Sequence, residues 1–190
     1  MFSPNPINTP NKSVILIRDV AAILIPDGFP VLLKRGEQVD ITQVLGGKFT
    51  VQAAQGQLFR VEGRDADALG QQIPKPQVKA KAAAQGGSLQ DQVWQQLQQC
   101  YDPEIPVNVV ELGLIYGCDF TKQADGTHHV HVRMTLTAPG CGMGEVLRQD
   151  IEQELSALPG VAVVSIELVF DPPWDKSRMS EAAQLQLGLL

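Results

Sequence analysis

The stretch His128-His129-Val130-His131-Val132-Arg133-Met134-Thr135-Leu136-Thr137-Ala138-Pro139-Gly140-Cys141-Gly142-Met143-Gly144-Glu145-Val146-Leu147-Arg148-Gln149-Asp150-Ile151 decides the fold. Its hydrophobic period changes from two to about 3.6 residues within one run, so a strand hands over to a helix across a small-residue turn. On the strand, expected over about His128 to Thr137, Val130, Val132, Met134 and Leu136 face one way. His129, His131, Arg133, Thr135 and Thr137 face the other. On the helix, expected from about Glu145 to Leu158, Leu147, Ile151 and Leu155 recur at i, i+4 and form one buried face.

Outward from this core, the same alternation gives an earlier strand from about Leu114 to Phe120, with Leu114, Tyr116, Cys118 and Phe120 on one face. It is joined to the second strand by the Asp125-Gly126 turn. Pro159-Gly160 ends the helix, and Val161 to Phe170 forms a third strand. Upstream, Ser88 with Asp91 three residues on makes a capping box with Asp in place of Glu. It opens a helix that runs through Cys100 and buries Leu89, Val93 and Leu97, with Trp94 at the margin. The Tyr101-Asp102-Pro103 sequence stops it, because proline disfavours the helical conformation in the residue before it. Helix, strand, strand, helix, strand is the order of a two-layer α/β sandwich of the α+β class. A last short helix is expected within Met179 to Leu187.

The chain has 190 residues, of which 44% are hydrophobic, enough for one large or two small cores. Residues 74–87, rich in proline, lysine, alanine and glycine, have the composition of a linker and separate residues 1–73 from 88–190. The first part is expected to be a small β-barrel-like domain. Brief runs such as Val14-Ile15-Leu16-Ile17 and Lys48-Phe49-Thr50-Val51-Gln52 are punctuated by Asp27-Gly28 and Gly46-Gly47 turns. Nothing in it has the spacing of a catalytic group, which makes it an interaction or structural module.

A net charge of −6 argues against a nucleic-acid surface. The opening Met1-Phe2-Ser3-Pro4-Asn5-Pro6 lacks the charged and apolar regions of a secretory signal, and no apolar run reaches membrane-spanning length. The three cysteines, Cys100, Cys118 and Cys141, form no CxxC pair or zinc spacing and point to a reducing compartment. A cytoplasmic protein is expected.

Cys141 is the residue with chemistry. At the start of a helix, unpaired amides and the helix dipole favour an anion, and a thiol there tends toward a thiolate, a nucleophile or soft-metal ligand. Thr135 and Thr137, expected on one sheet face four residues before it, either hydrogen-bond a thiolate, sulfide or metal shell, or are simply strand-favouring residues. Asp102 and Glu104 sit in a proline-braced loop, as site carboxylates or as solvated acids after a helix stop. The three histidines lie within four residues, and His129 and His131 share a face. They follow a hairpin turn and, at about 3.3 Å per residue, lie far along the strand from Cys141; an exposed strand end is the expected setting. Cys118 is expected as a buried structural thiol. Cys100 is either structural or a second thiol of the site. Trp174, held by Pro172-Pro173, either covers the site or closes the core.

Asp102-Pro103-Glu104-Ile105-Pro106-Val107-Asn108-Val109-Val110-Glu111-Leu112-Gly113-Leu114-Ile115-Tyr116, then Thr135-x-Thr137-x-x-x-Cys141, then Pro173-Trp174 resemble three ordered signatures of a family of iron–sulfur cluster assembly factors. That family includes the phenylacetate-pathway protein PaaD, eukaryotic cytosolic cluster-targeting factors and a domain beside some cluster-carrier ATPases. The resemblance covers roughly residues 88–188. The preceding β domain, with Asp40-Ile41-Thr42-Gln43 and Leu45-Gly46-Gly47, and the Met179-Ser180-Glu181-Ala182-Ala183 tail resemble the family's bacterial SufT subgroup. Gly142 stands where many members have proline.

The resemblance implies a non-catalytic maturation factor. Cys141 would be its reactive thiol and ligand to iron or a transient iron–sulfur cluster, with Asp102, Glu104, Thr135, Thr137, Gly140 and Gly142 lining the site. The implied partners are SUF assembly proteins and apo client proteins. Because one thiolate cannot fill the usual four-thiolate shell, the cluster would be shared across a homodimer, a partner or a small thiol. Two other classes remain open from the sequence. A metal-free scaffold would make Cys141 dispensable and the β domain essential. A thiol hydrolase or acyltransferase needs a histidine base, and the strand keeps the histidines away.

Overall fold

The computed structural model describes residues 12–73, 87–102, 105–138 and 142–189. The chain divides into two compact units, Met1–Gln77 and Val78–Leu190. Residues 74–86 of the expected linker lie outside the described residues.

The first unit is a six-stranded antiparallel sheet. Its strands are β1 (Lys12–Ile15), β2 (Val20–Ile25), β3 (Pro30–Leu33), β4 (Gln38–Leu45), β5 (Lys48–Ala53) and β6 (Leu58–Val61), in the order β1-β4-β5-β6-β2-β3. Alternate residues, among them Val20, Ala22, Val39, Ile41, Phe49, Val51, Phe59 and Val61, meet in one core. A 3-10 helix, Gly63–Leu69, adds Ala66, Ala68 and Leu69 to it. The Gly46-Gly47 turn joins β4 to β5 with both glycines at positive φ (55° and 76°), as a two-residue hairpin requires. A barrel-like closure is expected from the sequence. Among the described residues no ladder joins the end strands β1 and β3. Leu16, just past β1, donates its N–H to Glu37 O (2.9 Å) and accepts from Gly36 N (2.8 Å), which extends the β1–β4 pairing into the turn before β4.

The second unit is of the α+β class: a three-stranded sheet with helices on one face. In chain order it comprises α1 (Leu89–Leu97), β7 (Ile115–Lys122), β8 (His128–Met134), α2 (Met143–Ser156), β9 (Val161–Leu168) and α3 (Glu181–Gln186), the last preceded by a 3-10 turn, Lys176–Arg178. Central β8 pairs antiparallel with β7 and parallel with β9, with α2 as the crossover. Val130, Val132 and Met134 of β8 are fully buried with Val93 and Leu97 of α1 and Leu147, Ile151 and Leu155 of α2. The capping box at α1 is complete. Ser88 Oγ accepts from Asp91 N (3.2 Å), and Asp91 Oδ2 accepts from Ser88 N (2.9 Å).

Three expectations are corrected. Helix α1 ends at Leu97, before the proline segment, with Cys100 N donating to Leu97 O (3.0 Å) in a final tight turn. The β7–β8 register shifts between Ile115 and Gly117, so Tyr116 is a bulge residue off the Cys118/Phe120 face. Ile115, Cys118 and Phe120 pack on the core, while the Tyr116 hydroxyl donates to Pro172 O (3.0 Å) and Arg178 stacks 4.4 Å from its ring centre. Finally, β8 stops at Met134, so the alternation that put Thr135 and Thr137 on an open sheet face does not reach them.

The segment before β7 and the tail after β9 interlock. Asn108 Oδ1 accepts from Val110 N (3.1 Å) and Glu111 N (2.9 Å), which shapes a turn ending at Gly113 (φ 68°). A Cβ at Gly113 would lie 2.2 Å from Arg178 O. Trp174 Nε1 donates to Leu112 O (2.9 Å), Ser180 N donates to Glu111 O (2.9 Å), and the Ser180 hydroxyl donates to the Glu111 carboxylate. Gln186 Nε2 reaches Pro106 O (2.7 Å). A Gly113→Ala variant meets both a left-handed backbone and a backbone clash, so it is expected to lose about 2 kcal/mol or more of stability in urea unfolding. Wild-type stability in that variant would show that the tail can shift at no cost.

Candidate functional site

Thr135 occupies the handover from β8 to α2. It is 1% exposed, and its Oγ1 has no hydrogen-bond partner among the described residues. Its backbone is fixed, since Thr135 N donates to Leu114 O (2.9 Å). Leu114 N in turn donates to Val109 O (3.0 Å), and Val109 N to Cys100 O (2.9 Å). This row of backbone bonds ties the end of α1, the turn before β7 and the exit of β8 into one frame. Asp102 belongs to that frame. It is buried and lies one residue past the Tyr101–Asn108 bridge. A buried hydroxyl left without a partner costs roughly 1–3 kcal/mol.

Helix α2 begins at Met143, with Gly142 as its N-cap and no side-chain cap, so its first amides receive no hydroxyl or carboxylate from the capping residue. Gly144 keeps the first turn close to the exit of β8, because a Cβ there would lie 2.3 Å from Leu136 Cδ1. The acid of that turn is already engaged. Glu145 accepts from Arg148 (2.8 and 3.0 Å) and Gln149 (2.9 Å), bonds that pull its carboxyl down to about 2. That ionised carboxylate also meets the positive end of the helix.

Of the residues singled out by sequence, Cys141, Glu104 and Gly140 lie outside the described residues. Thr135 and Asp102 are brought into one buried frame, Thr137 is half-buried, and Gly142 is exposed at the helix start. Cys100 is buried in the core, where its thiol donates to Gln96 O (3.6 Å). Trp174 is half-buried, with its indole fixed on Leu112 O and its ring packed on the core. Cys118 is half-buried rather than fully buried, and burial, followed by the Asp119 carboxylate, pushes its thiol up to about 11.

The histidines are not an exposed strand end. They are half-buried, and His129 and His131 lie within the ladder between β7 and β9. Both hydrogen-bond to Ser165 Oγ of β9, at 2.8 and 2.9 Å. Sequence reasoning did not find Ser165, because the pairing of β8 with β9 is set by tertiary packing and leaves no local signal.

Residues 90–168, within the second unit, match the family model described as "Iron-sulfur cluster assembly protein". A Porphyromonas gingivalis protein named Fe-S protein maturation auxiliary factor is 46% identical over 101 residues, 92% of its length and 53% of this chain. The chain belongs to the iron–sulfur cluster assembly protein family. Two further relatives carry the same description. The Bacillus subtilis factor YitW is 34% identical, over 96% of its length and 54% of this chain. The Staphylococcus aureus factor SufT is 34% identical, over 96% of its length and 46% of this chain. Among the described residues no helix is long and apolar enough to cross a membrane, and no three His, Cys, Asp or Glu side chains are grouped to hold a metal.

The thiols are expected to differ in reactivity. At neutral pH, iodoacetamide is expected to label Cys141 quickly, with Cys118 held protonated and Cys100 buried, as read by peptide mass spectrometry. Labelling of Cys118 at the rate of Cys141 would contradict this ordering.

Proposed function

We propose that this chain is a non-catalytic iron–sulfur protein maturation factor that holds iron or a cluster transiently as cargo and passes it to apo client proteins. Membership of the assembly family, with relatives named as maturation auxiliary factors, supports the role. The observation that supports the site is the buried Thr135 hydroxyl at the turn into α2, which has no partner among the described residues. Cys141 immediately precedes Gly142, the N-cap of that helix. A thiolate there is favoured by the helix dipole, and soft sulfur suits iron. In this reading Thr135 donates to the thiolate or to cargo sulfide, and Asp102, Glu104, Thr137, Gly140 and Gly142 are the other residues of the site.

One thiolate leaves the coordination shell incomplete, so the remaining ligands come from a second copy, a SUF assembly protein or the client. An incomplete shell suits cargo that must leave. The 1–73 unit, joined by the 74–87 linker, serves as the docking module, and the site of action is the cytoplasm.

Anaerobic reconstitution with iron and sulfide tests this reading. Wild type is expected to retain iron and to show thiolate-to-iron charge-transfer absorption, and Cys141→Ala is expected to lose both. Thr135→Val removes a hydroxyl while keeping its shape. It is expected to be as stable as wild type or up to about 1 kcal/mol more stable, yet to release iron several-fold faster. Iron-free wild type, or full client maturation by Cys141→Ala in cells, would move the function to a metal-free scaffold.

A further inference from the structure

The face of the second unit's sheet opposite the helices carries a connected polar cluster that cluster handling at Cys141 does not use. Central strand β8 presents His129 and His131, and β9 presents Ser165 and Glu167 beside them. Ser165 Oγ lies 2.8 Å from His129 Nε2 and 2.9 Å from His131 Nδ1. The other ring nitrogen of His131, Nε2, lies 3.2 Å from Glu167 Oε2.

A carboxylate only accepts, so a neutral His131 that turns its Nε2–H to Glu167 presents a lone pair at Nδ1. Ser165 then donates to His131 Nδ1 and accepts from His129 Nε2. Two imidazole nitrogens are thus within reach of one oxygen, and one of the rings is fixed in its tautomer by a carboxylate behind it. That is how a metal-ligating histidine is oriented: one nitrogen on the metal and the other N–H on a carboxylate.

We propose that His129 Nε2 and His131 Nδ1 form an open two-histidine site for a divalent first-row transition metal ion, with Glu167 orienting His131. The ion takes the place of the Ser165 hydroxyl, which rotates aside and keeps its proton. His129 moves its proton from Nε2 to Nδ1, so no proton is lost overall. Asp119, directly across from His131 on β7, adds negative charge to the site. The nearby Arg133 is drawn toward Asp119, with Nε 3.7 Å from its Oδ2. Imidazole suits zinc, copper, nickel and iron, so the donor set excludes magnesium and calcium as natural occupants. With two protein ligands, water or a group from a partner fills the other positions.

The test is titration of untagged full-length Cys141→Ser protein with zinc chloride, followed by calorimetry and by the imidazole resonances in NMR. The Ser substitution removes the thiolate competitor, so failure here leaves the proposal for Cys141 untouched. One zinc per chain is expected, with the His129 and His131 resonances shifting together. A His129→Gln/His131→Gln variant is expected to bind at least tenfold more weakly, Glu167→Gln roughly tenfold more weakly, and Ser165→Ala as well as the parent or better. Circular dichroism of each variant separates lost binding from lost folding. Parent-level affinity in the double variant, loss of binding in folded Ser165→Ala, or no binding by the parent at millimolar zinc would each overturn the proposal.

Discussion

The backbone of Arg178 fills the space where any other residue at position 113 would place its Cβ, and the tail of the second unit depends on that close approach. With Arg178 there, its guanidinium stacks on Tyr116, Trp174 reaches Leu112 O, and Ser180 meets Glu111. The tail thus clamps the turn that begins at Asn108, and that turn delivers Leu114 to Thr135. Much of the described part of the first and last signature segments therefore works by positioning.

The handover from β8 to α2 spends stability that the rest of the unit supplies. A buried hydroxyl without a partner among the described residues is unfavourable, whereas glycine at the N-cap costs only a few tenths of a kcal/mol relative to serine or aspartate. The two stand on either side of the short segment that contains Cys141. His128 Nδ1 is a second buried atom of this unit without a partner among the described residues. In the first turn of α2 the Glu145 carboxylate meets the positive end of the helix while it accepts from Arg148 and Gln149.

What the sequence made legible was whatever a local period or a local bond encodes. Leu147, Ile151 and Leu155 declare their helix face, Ser88 and Asp91 their cap, and Gly46-Gly47 their hairpin. Thr135 stands elsewhere than its alternation implied. Its alternation with Thr137 suggested an open sheet face, whereas the ladder ends at Met134 and the residue turns inward. Tyr116 was misplaced because a bulge inserts one residue and inverts the parity after it, and no side-chain pattern announces that insertion. The partners of His129 and His131 were out of reach because Ser165 and Glu167 come from a parallel strand thirty-odd residues on, where only helix packing sets the register.

Both candidate sites belong to β8, and its central place in the sheet explains why. A strand bonded on both sides cannot slip by one residue without breaking two ladders and turning Val130, Val132 and Met134 out of the core. The same constraint that buries those three residues fixes His129 and His131 on the opposite face. It also fixes the residue that stands first beyond the end of the strand. Pre-organisation thus costs the unit little, because the core enforces it. The face and the end of the strand are separated by the sheet itself. Side chains on the open face can change without repacking the core, and groups around Thr135 can change without moving the histidines. One rigid strand thus positions the residues of both proposed sites on independent surfaces.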